Sequence, residues 1–155
     1  MIRLAVEKDI PRVSELLRQV NEVHYKGRPD IFNLGVKYSD AQIKDKLNCP
    51  NEPILVFVDG NDKVLGYCFC EIKTCEESSV LKGIKTLYID DLCVDESCRF
   101  QGVGKTLYES ALHLAKENGC YNLTLNVWSC NPSAIKFYES LGLVPQKIYM
   151  EKVLV

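Results

Sequence analysis

The spacing of apolar residues predicts two helices near the start of the chain. Asp9 and Pro11 mark a helix start, and after them apolar positions recur every three or four residues as far as His24. His24 ends this apolar stripe, where a packed histidine and a working one fit the pattern equally well. Ser39 and Gln42 form a capping-box pattern, which predicts that a second helix begins there.

Apolar runs also predict several strands. Residues 2–6 are typical of a short first strand, and the continuous apolar run 54–58 is typical of a buried one. The turn at 59–62 joins that run to a strand from Val64 to about Ile72, so that the two form a hairpin. Residues 86–89 begin the next strand.

The second half of the chain alternates helices with strands. After Gly102, apolar residues recur at helical spacing until Asn118 and Gly119, and residues 123–128 then alternate as a strand does. Asn131 predicts the N-cap of a last helix, which ends at Gly142. The pattern of the tail, at residues 143–144 and 148–155, predicts one or two final strands. The order is β-α-α-β-β-β-α-β-α-β(-β), which indicates an α/β (α+β) mixed sheet flanked by helices.

Composition narrows the class of protein. A chain of 155 residues with 46% hydrophobic and 26% charged residues has the length of one domain, which we place at 1–155. No apolar run approaches the ~18 residues of a membrane span. The net charge of −2 offers no general attraction for nucleic acid. Acidic residues near the N-terminus replace the apolar run of a secretory signal, so we expect a cytoplasmic protein.

Eight cysteines are an unusually high number, yet they form no Cys-x-x-Cys pair. Cys68 and Cys70 alternate within a predicted strand and should face one side of it. The two histidines, His24 and His113, lie far from them in sequence. We therefore expect buried, reduced thiols, and neither a metal site nor a disulfide framework.

The segment 90–107 is read as a strand, a loop and the start of a helix. Two glycines at the junction allow an anion to approach backbone N–H groups that have no partner within the helix, as a phosphate cradle requires. Gly104-Lys105-Thr106 supplies only the second half of a P-loop, because Arg99 stands where the first glycine is needed. A dinucleotide fingerprint is also incomplete, since Leu107 replaces its third small residue.

The remaining pattern is Arg99-x-x-Gly102-x-Gly104, after a strand and opening a helix. It resembles the acetyl-CoA signature of the GCN5-related N-acetyltransferases (GNAT). The segment 131–143 is similar to the second signature of that family and lies one strand further on, as the family order requires. The likeness of strand order extends over almost the whole chain, whereas the specific motifs lie between Asp90 and Leu143.

The resemblance implies a splayed central sheet in which pantetheine lies along the edge of one strand. It assigns backbone contacts with pantetheine to that strand and contacts with the pyrophosphate to the helix start. Arg99 and Lys105 would add positive charge, and Asn131 a polar contact. By motif position, the implied cofactor-binding residues are Leu92, Cys93, Val94, Arg99, Gln101, Gly102, Val103, Gly104, Lys105, Thr106 and Asn131. Solvated cations at Arg99 and Lys105, and a simple cap at Asn131, are the alternatives.

The resemblance also implies direct acetyl transfer from acetyl-CoA, as co-substrate, to a primary amine of a small molecule or peptide, without a metal. Asp90 or Asp91 would accept the proton of the amine, with Asp90 the first choice, and Tyr138 would protonate the departing thiolate. Strand alternation puts the two aspartates on opposite faces unless a bulge intervenes. A strand N–H near Cys93 or Val94 would stabilise the oxyanion.

Two other functions remain open from the residues alone. A non-catalytic acyl-CoA-binding module would need the glycines but not Tyr138. An NTP-binding protein would depend on Lys105. The sequence does not identify the acceptor amine, although residues 24–32 lie where family members shape its pocket. It leaves the oligomeric state open, and the final strands could pair across a homodimer.

Overall fold

The computed structural model describes all residues, 1–155, and contains a five-stranded sheet with four α-helices. The strands are β1 (Ile2–Leu4), β2 (Ile54–Val58), β3 (Val64–Thr74), β4 (Lys85–Val94) and β5 (Asn122–Leu125). The helices are α1 (Ile10–Gly27), α2 (Asp40–Leu47), α3 (Val103–Glu117) and α4 (Pro132–Ser140). The strands lie in sequence order, with β1 to β4 antiparallel and β5 parallel to β4. The predicted mixed α/β fold is confirmed.

The sheet has a hydrophobic cluster on each face. One cluster joins α1 and α2 to alternate residues of β2 and β3, including Tyr67 and Phe69, which are almost completely buried. The other joins α3 to the opposite face and includes Cys68 and Cys70, with sulfur atoms 3.7 Å apart. All eight cysteines are free thiols. The alternation along β3 therefore places these side chains as the sequence predicts.

Helix caps agree well with the sequence prediction. The Ser39 hydroxyl accepts a hydrogen bond from Gln42 N–H at 3.2 Å, and the Gln42 side chain accepts one from Ser39 N–H at 2.9 Å. At α4, Asn131 Oδ1 accepts from Ala134 N–H at 3.3 Å. These bonds satisfy backbone donors that a helix cannot satisfy itself.

Two strand predictions are wrong. The predicted strand 123–128 ends at Leu125, because the chain leaves the sheet beyond that residue. The tail forms no strand at all: residues 144–155 are irregular and exposed, and they make no backbone hydrogen bond to the rest of the chain. No helix has both the length and the apolar character needed to cross a membrane.

Candidate functional site

A gap opens between β4 and β5 where their pairing stops. The parallel register runs from Thr86 opposite Asn122 to Ile89 opposite Leu125, but β4 continues to Val94. Beyond Ile89, β4 is paired only with β3. One edge of a central strand is therefore unpaired over five residues.

Within this edge, the direction of the backbone alternates. Asp95 donates its N–H to Leu65 on β3 at 2.8 Å, so the backbone groups of Cys93, two residues earlier, also face β3. Those of Leu92 and Val94 face the gap, where Val94 C=O accepts a hydrogen bond from the Gln19 side chain at 3.0 Å. Of the three strand residues assigned to pantetheine, only Leu92 and Val94 thus present backbone groups to it.

A β-bulge places two carboxylates on the same face. Asp91 pairs with Phe69 and Ile89 with Cys70, so Asp90 is an extra residue in β4. Ile89 belongs to the α3-side cluster and Cys93 to the α1-side cluster, although uninterrupted alternation would put both on one face. The bulge reverses the alternation of faces along β4, so that the side chains of Asp90 and Asp91 both lie on the α1 side. The expectation of opposite faces is corrected accordingly.

Asp91 has the environment of a base that works near neutral pH. Burial raises the pKa of its carboxyl to about 6, and the neighbouring Asp90 acts in the same direction. Lys37 and the hydroxyl of Tyr67 oppose that rise, with the hydroxyl donating to Asp91 Oδ2 at 3.2 Å. Because burial dominates, Asp91 is a proton acceptor of intermediate strength in a partly dry site.

Asp90 binds a primary ammonium group. Lys37 Nζ donates to Asp90 Oδ1 at 3.0 Å and to the Asp90 carbonyl at 3.1 Å. Tyr38 donates its hydroxyl to the other carboxylate oxygen, and burial together with that carboxylate raises the pKa of Tyr38. Neither Lys37 nor Tyr38 was found by sequence reasoning, since their loop has no periodic pattern.

The start of α3 presents free amides beside the end of β4. Phe100 and Gly102 have φ values of 63° and 81°, which bend the loop tightly into the helix. Thr106 donates both its N–H and its hydroxyl to Gly102 C=O at 2.9 Å. Its amide is therefore engaged, and the amides without a partner in the helix are those of residues 103–105. This positive helix end suits a pyrophosphate group.

Gly104 allows α4 to pack against the helix start. A Cβ at this position would lie 3.2 Å from Phe137 Cζ and 3.5 Å from Val94 Cγ2. Phe137 in turn packs edge-on against Tyr138, with ring centroids 5.1 Å apart. The glycine therefore brings the second motif against the first.

Tyr138 lies near Asp91, Cys68 and Cys93. Burial, followed by the neighbouring Cys68 and Asp91, raises the pKa of this phenol, which therefore stays protonated. The hydroxyl makes no hydrogen bond within the chain. It is also not fully buried, because every fully buried polar side-chain atom has a hydrogen-bond partner. The hydroxyl therefore keeps some contact with solvent, and no acceptor within the chain holds its proton.

The remaining predicted site residues differ in their surroundings. Arg99 and Gln101 are exposed beside the helix start, and Lys105 forms an exposed i,i+4 pair with Glu109 at 3.8 Å. Asn131 caps α4, as described above. Burial raises the pKa of the Cys93 thiol to about 12, which leaves it protonated and structural.

An aromatic cluster borders the same region on the side of the aspartates. His24 stacks on Phe32 with centroids 5.1 Å apart, and Phe32 meets Trp128 edge-on at 5.0 Å. Burial, and secondarily the charge of Lys37, lowers the pKa of His24, so the ring is neutral at pH 7. The sequence pattern indicated His24 and the loop after it, but gave no sign that Trp128 would close the cluster.

Comparisons with known proteins agree with this geometry. A sequence model described as "Acetyltransferase (GNAT) family" matches residues 17–143. A crystal structure of a mutant of the BH1408 protein from Bacillus halodurans is 33% identical and superimposes with a TM-score of 0.97, covering 100% of this chain and 99% of that one.

Curated relatives are also acetyltransferases. Human N-alpha-acetyltransferase 30 is 38% identical over 73 residues, which are 47% of this chain but only 20% of that protein. Bovine thialysine N-epsilon-acetyltransferase is 26% identical over 153 residues, covering 92% of this chain and 82% of that protein. The family match spans most of the chain and includes the open strand edge, the glycine turn and Tyr138. The chain therefore belongs to the GNAT family of acetyltransferases.

Proposed function

We propose that this chain, as a single catalytic domain, transfers an acetyl group from acetyl-CoA to a primary amine of a small molecule or peptide. One contact carries the amine assignment: the ammonium of Lys37 rests on the carboxylate and the carbonyl of Asp90. Asp90 thus already binds a primary ammonium on a flexible alkyl chain, which supports an acceptor of the same kind. The acceptor would displace Lys37 and use the same two oxygens.

The open edge of β4 and the start of α3 fit acetyl-CoA, which supplies an activated acetyl thioester. Leu92 and Val94 would bind pantetheine as a further strand would, and the amides of residues 103–105 would bind the pyrophosphate. Arg99 and Lys105 would add positive charge at the solvent side, and Gln101 a polar contact. Asn131 would serve mainly by holding α4 in place.

The two acids would divide the work on the amine. Asp90, already paired with a cation, would orient the acceptor ammonium. Asp91 would take the proton, directly or through a water molecule, because its pKa of about 6 lies close to the working pH. An amine of the lysine type has a pKa near ~10 and must lose a proton before it attacks. This division reverses the order of preference that the sequence suggested.

Two further groups would stabilise the later steps. The N–H of Val94 faces the gap and would donate to the oxyanion that forms on the thioester carbonyl. Tyr138, protonated and without a partner in the chain, would donate its proton to the departing thiolate. No step in this sequence requires a metal.

The names of the relatives support an amine acceptor. Thialysine N-epsilon-acetyltransferase, the relative aligned over most of both chains, is named for a side-chain amine of the lysine type. We therefore place the acceptor among primary amines on alkyl chains. A homodimer is the assembly that we expect.

Thermal unfolding with acetyl-CoA, free CoA, or ATP and magnesium tests the donor site. Ligand at about a hundred times its dissociation constant adds ~2.7 kcal/mol, so the melting temperature should rise by roughly 5 to 10 °C with either CoA species. Stabilisation by ATP alone would instead favour a nucleotide-binding protein.

Release of free thiol from acetyl-CoA, followed with a panel of alkyl amines and lysine-containing peptides, tests the reaction. CoA binding with no turnover on any amine, together with unchanged binding in Tyr138→Phe, would leave a non-catalytic acyl-CoA-binding module as the function.

A further inference from the structure

The side chain of Lys37 places an amine of the chain itself at the acid pair of the site. Its Nζ lies 3.0 Å from Asp90 Oδ1 and 3.1 Å from the Asp90 carbonyl oxygen. The same positive charge opposes the rise in the pKa of Asp91. One amine therefore already lies beside the two carboxylates that would orient and deprotonate an acceptor.

The position of Asp90 brings this amine next to the open strand edge. Pairing between β4 and β5 ends at Ile89, so Asp90 is the first residue beyond the paired part. Leu92, whose backbone groups face the gap, lies two residues further, or roughly 7 Å along a strand. The Lys37 amine and the edge that would hold the thioester are thus neighbours.

The Lys37 side chain is tethered at the site but is not locked there. It is 43% exposed, and its only carboxylate partner is Asp90. A partly exposed ion pair of this kind is weak, so the amine can leave the carboxylate and react. Because the chain holds the amine beside the acids, its effective concentration there exceeds that of a free amine in dilute solution.

The neighbouring lysine, Lys46, is held differently. It lies over the ring of Tyr38, with Nζ 4.7 Å from the ring centroid, and donates to Glu52 at 2.8 Å. Its side chain is only 18% exposed and does not reach Asp90. Of the two lysines beside Tyr38, only Lys37 contacts the acid pair.

We propose that Lys37 is acetylated by its own active site, within the same molecule. This modification rests on the proposed function, because it uses the same donor and the same acids. The bond from Lys37 Nζ to the acetyl carbon forms as the carbon–sulfur bond of the thioester breaks. Of the two protons that the ammonium loses, one passes through Asp91 to solvent. The other replaces the proton that Tyr138 gives to the CoA thiolate.

Acetylation of Lys37 frees Asp90 for an external amine. The product amide has no positive charge, so it no longer pairs with the carboxylate. An acceptor then binds Asp90 without displacing an internal ammonium. The KM for the amine falls about two- to fivefold, as expected when one partly exposed ion pair no longer competes. The chain thus activates itself in the presence of acetyl-CoA.

Peptide mass spectrometry of the full chain, before and after incubation with acetyl-CoA alone, tests the modification. We expect one acetyl group at Lys37, added at a rate that saturates with acetyl-CoA and does not change with protein concentration. Lys8, which is 66% exposed, reports uncatalysed acetylation and should react far more slowly. Asp91→Asn should slow the reaction at Lys37 about 100-fold or more and leave the rate at Lys8 unchanged.

Lys37→Arg tests the effect on the amine. Arginine keeps a positive charge beside Asp90 but stays protonated and is not acetylated. Prior incubation with acetyl-CoA should lower KM for the amine in wild type and in the matched control Lys63→Arg. The KM of Lys37→Arg should be the same with and without that incubation.

The possible outcomes separate this inference from the proposed function. Transfer to an added amine while Lys37 stays unmodified overturns the inference alone. Equal acetylation of Lys8 and Lys37 also overturns it, because the reaction is then uncatalysed. A rate that rises with protein concentration does so as well, since the transfer is then between molecules. An unchanged KM after acetylation refutes the release of Asp90. No transfer to Lys37 or to any amine refutes the proposed function too.

Discussion

Replacing Asp91 with asparagine should make the protein more stable at neutral pH while abolishing most of its activity. The folded protein holds the Asp91 carboxyl with a pKa of about 6, against 3.8 when it is free in water. Between these two values the folded state therefore binds more protons than the unfolded state. Stability from this group is complete below about pH 4 and is lost as the pH rises through 6. The amide side chain of the variant has no charge to bury.

The size of the effect follows from the two pKa values. A difference of about 2 pKa units corresponds to a cost of roughly 3 kcal/mol once the carboxyl is ionised in both states. At about pH 4.5 only some 1 kcal/mol of this cost is present, so the advantage of the variant should grow by about 2 kcal/mol between pH 4.5 and 7.5. For a domain of this size, that is roughly 4 to 8 °C in melting temperature.

Urea unfolding of both proteins at the two pH values measures this growth directly. The difference in free energy of unfolding between variant and wild type is taken at each pH. Contributions from groups that titrate alike in both proteins cancel in this difference. Asp90→Asn is the matched control: it removes a half-exposed ion pair with Lys37 and should lower stability modestly at pH 7.5. An Asp91→Asn protein that is destabilised equally at both pH values would refute the idea that burial of the charge is costly.

Three further variants test individual parts of the site. Tyr138→Phe should lower kcat about 100-fold or more with little change in KM for the acceptor, since only the departing thiolate loses its proton donor; an unchanged kcat assigns that proton to water. Gly104→Val should weaken CoA binding about tenfold or more, because a Cβ at this position would lie only 3.2 Å from Phe137 Cζ. In the same titration the control Gly60→Val should bind CoA normally, because a Cβ at residue 60 has no atom within 4 Å. Lys37→Met should lower KM for the amine, because it removes a side chain that competes with the amine for Asp90. The control Lys63→Met, at an exposed lysine, should leave KM unchanged. Equal KM values in Lys37→Met and wild type would mean that Lys37 leaves the site at no cost.

Most of the fold could be predicted because the relevant signals are local. The capping box at Ser39, the N-cap at Asn131 and the hydrophobic alternation along β3 depend on residues a few positions apart. The end of β5 at Leu125 could not be predicted, since Asn126 to Trp128 continue the same alternation. The prediction of final strands was wrong for a related reason. Residues 146–152 have a strand pattern, but a strand forms only where the edge of another strand lies close enough to pair with it.

The sequence proposes site residues where a motif is present and proposes none where the candidate site depends on packing. Gly102, Gly104 and Tyr138 were assigned to the site by their motif positions in the resemblance to the GNAT family. Lys37 and Tyr38 come from a loop fifty residues earlier and meet Asp90 only in the folded chain. Which aspartate is the more basic also depends on burial, which spacing does not reveal.

The bulge at Asp90 gives the site both of its special features. The extra residue lies immediately after Ile89, where the pairing of β4 with β5 ends, so the strand is irregular at the point where its edge becomes free. The same residue reverses the alternation, which brings the Asp91 carboxylate to the side of Tyr67 and leaves Leu92 facing the α3 side. Without the bulge, Asp91 would lie on the α3 face, away from Lys37, and the strand would carry one acid beside the acceptor instead of two. A single inserted residue thus places the acid pair next to the strand edge that would hold the thioester.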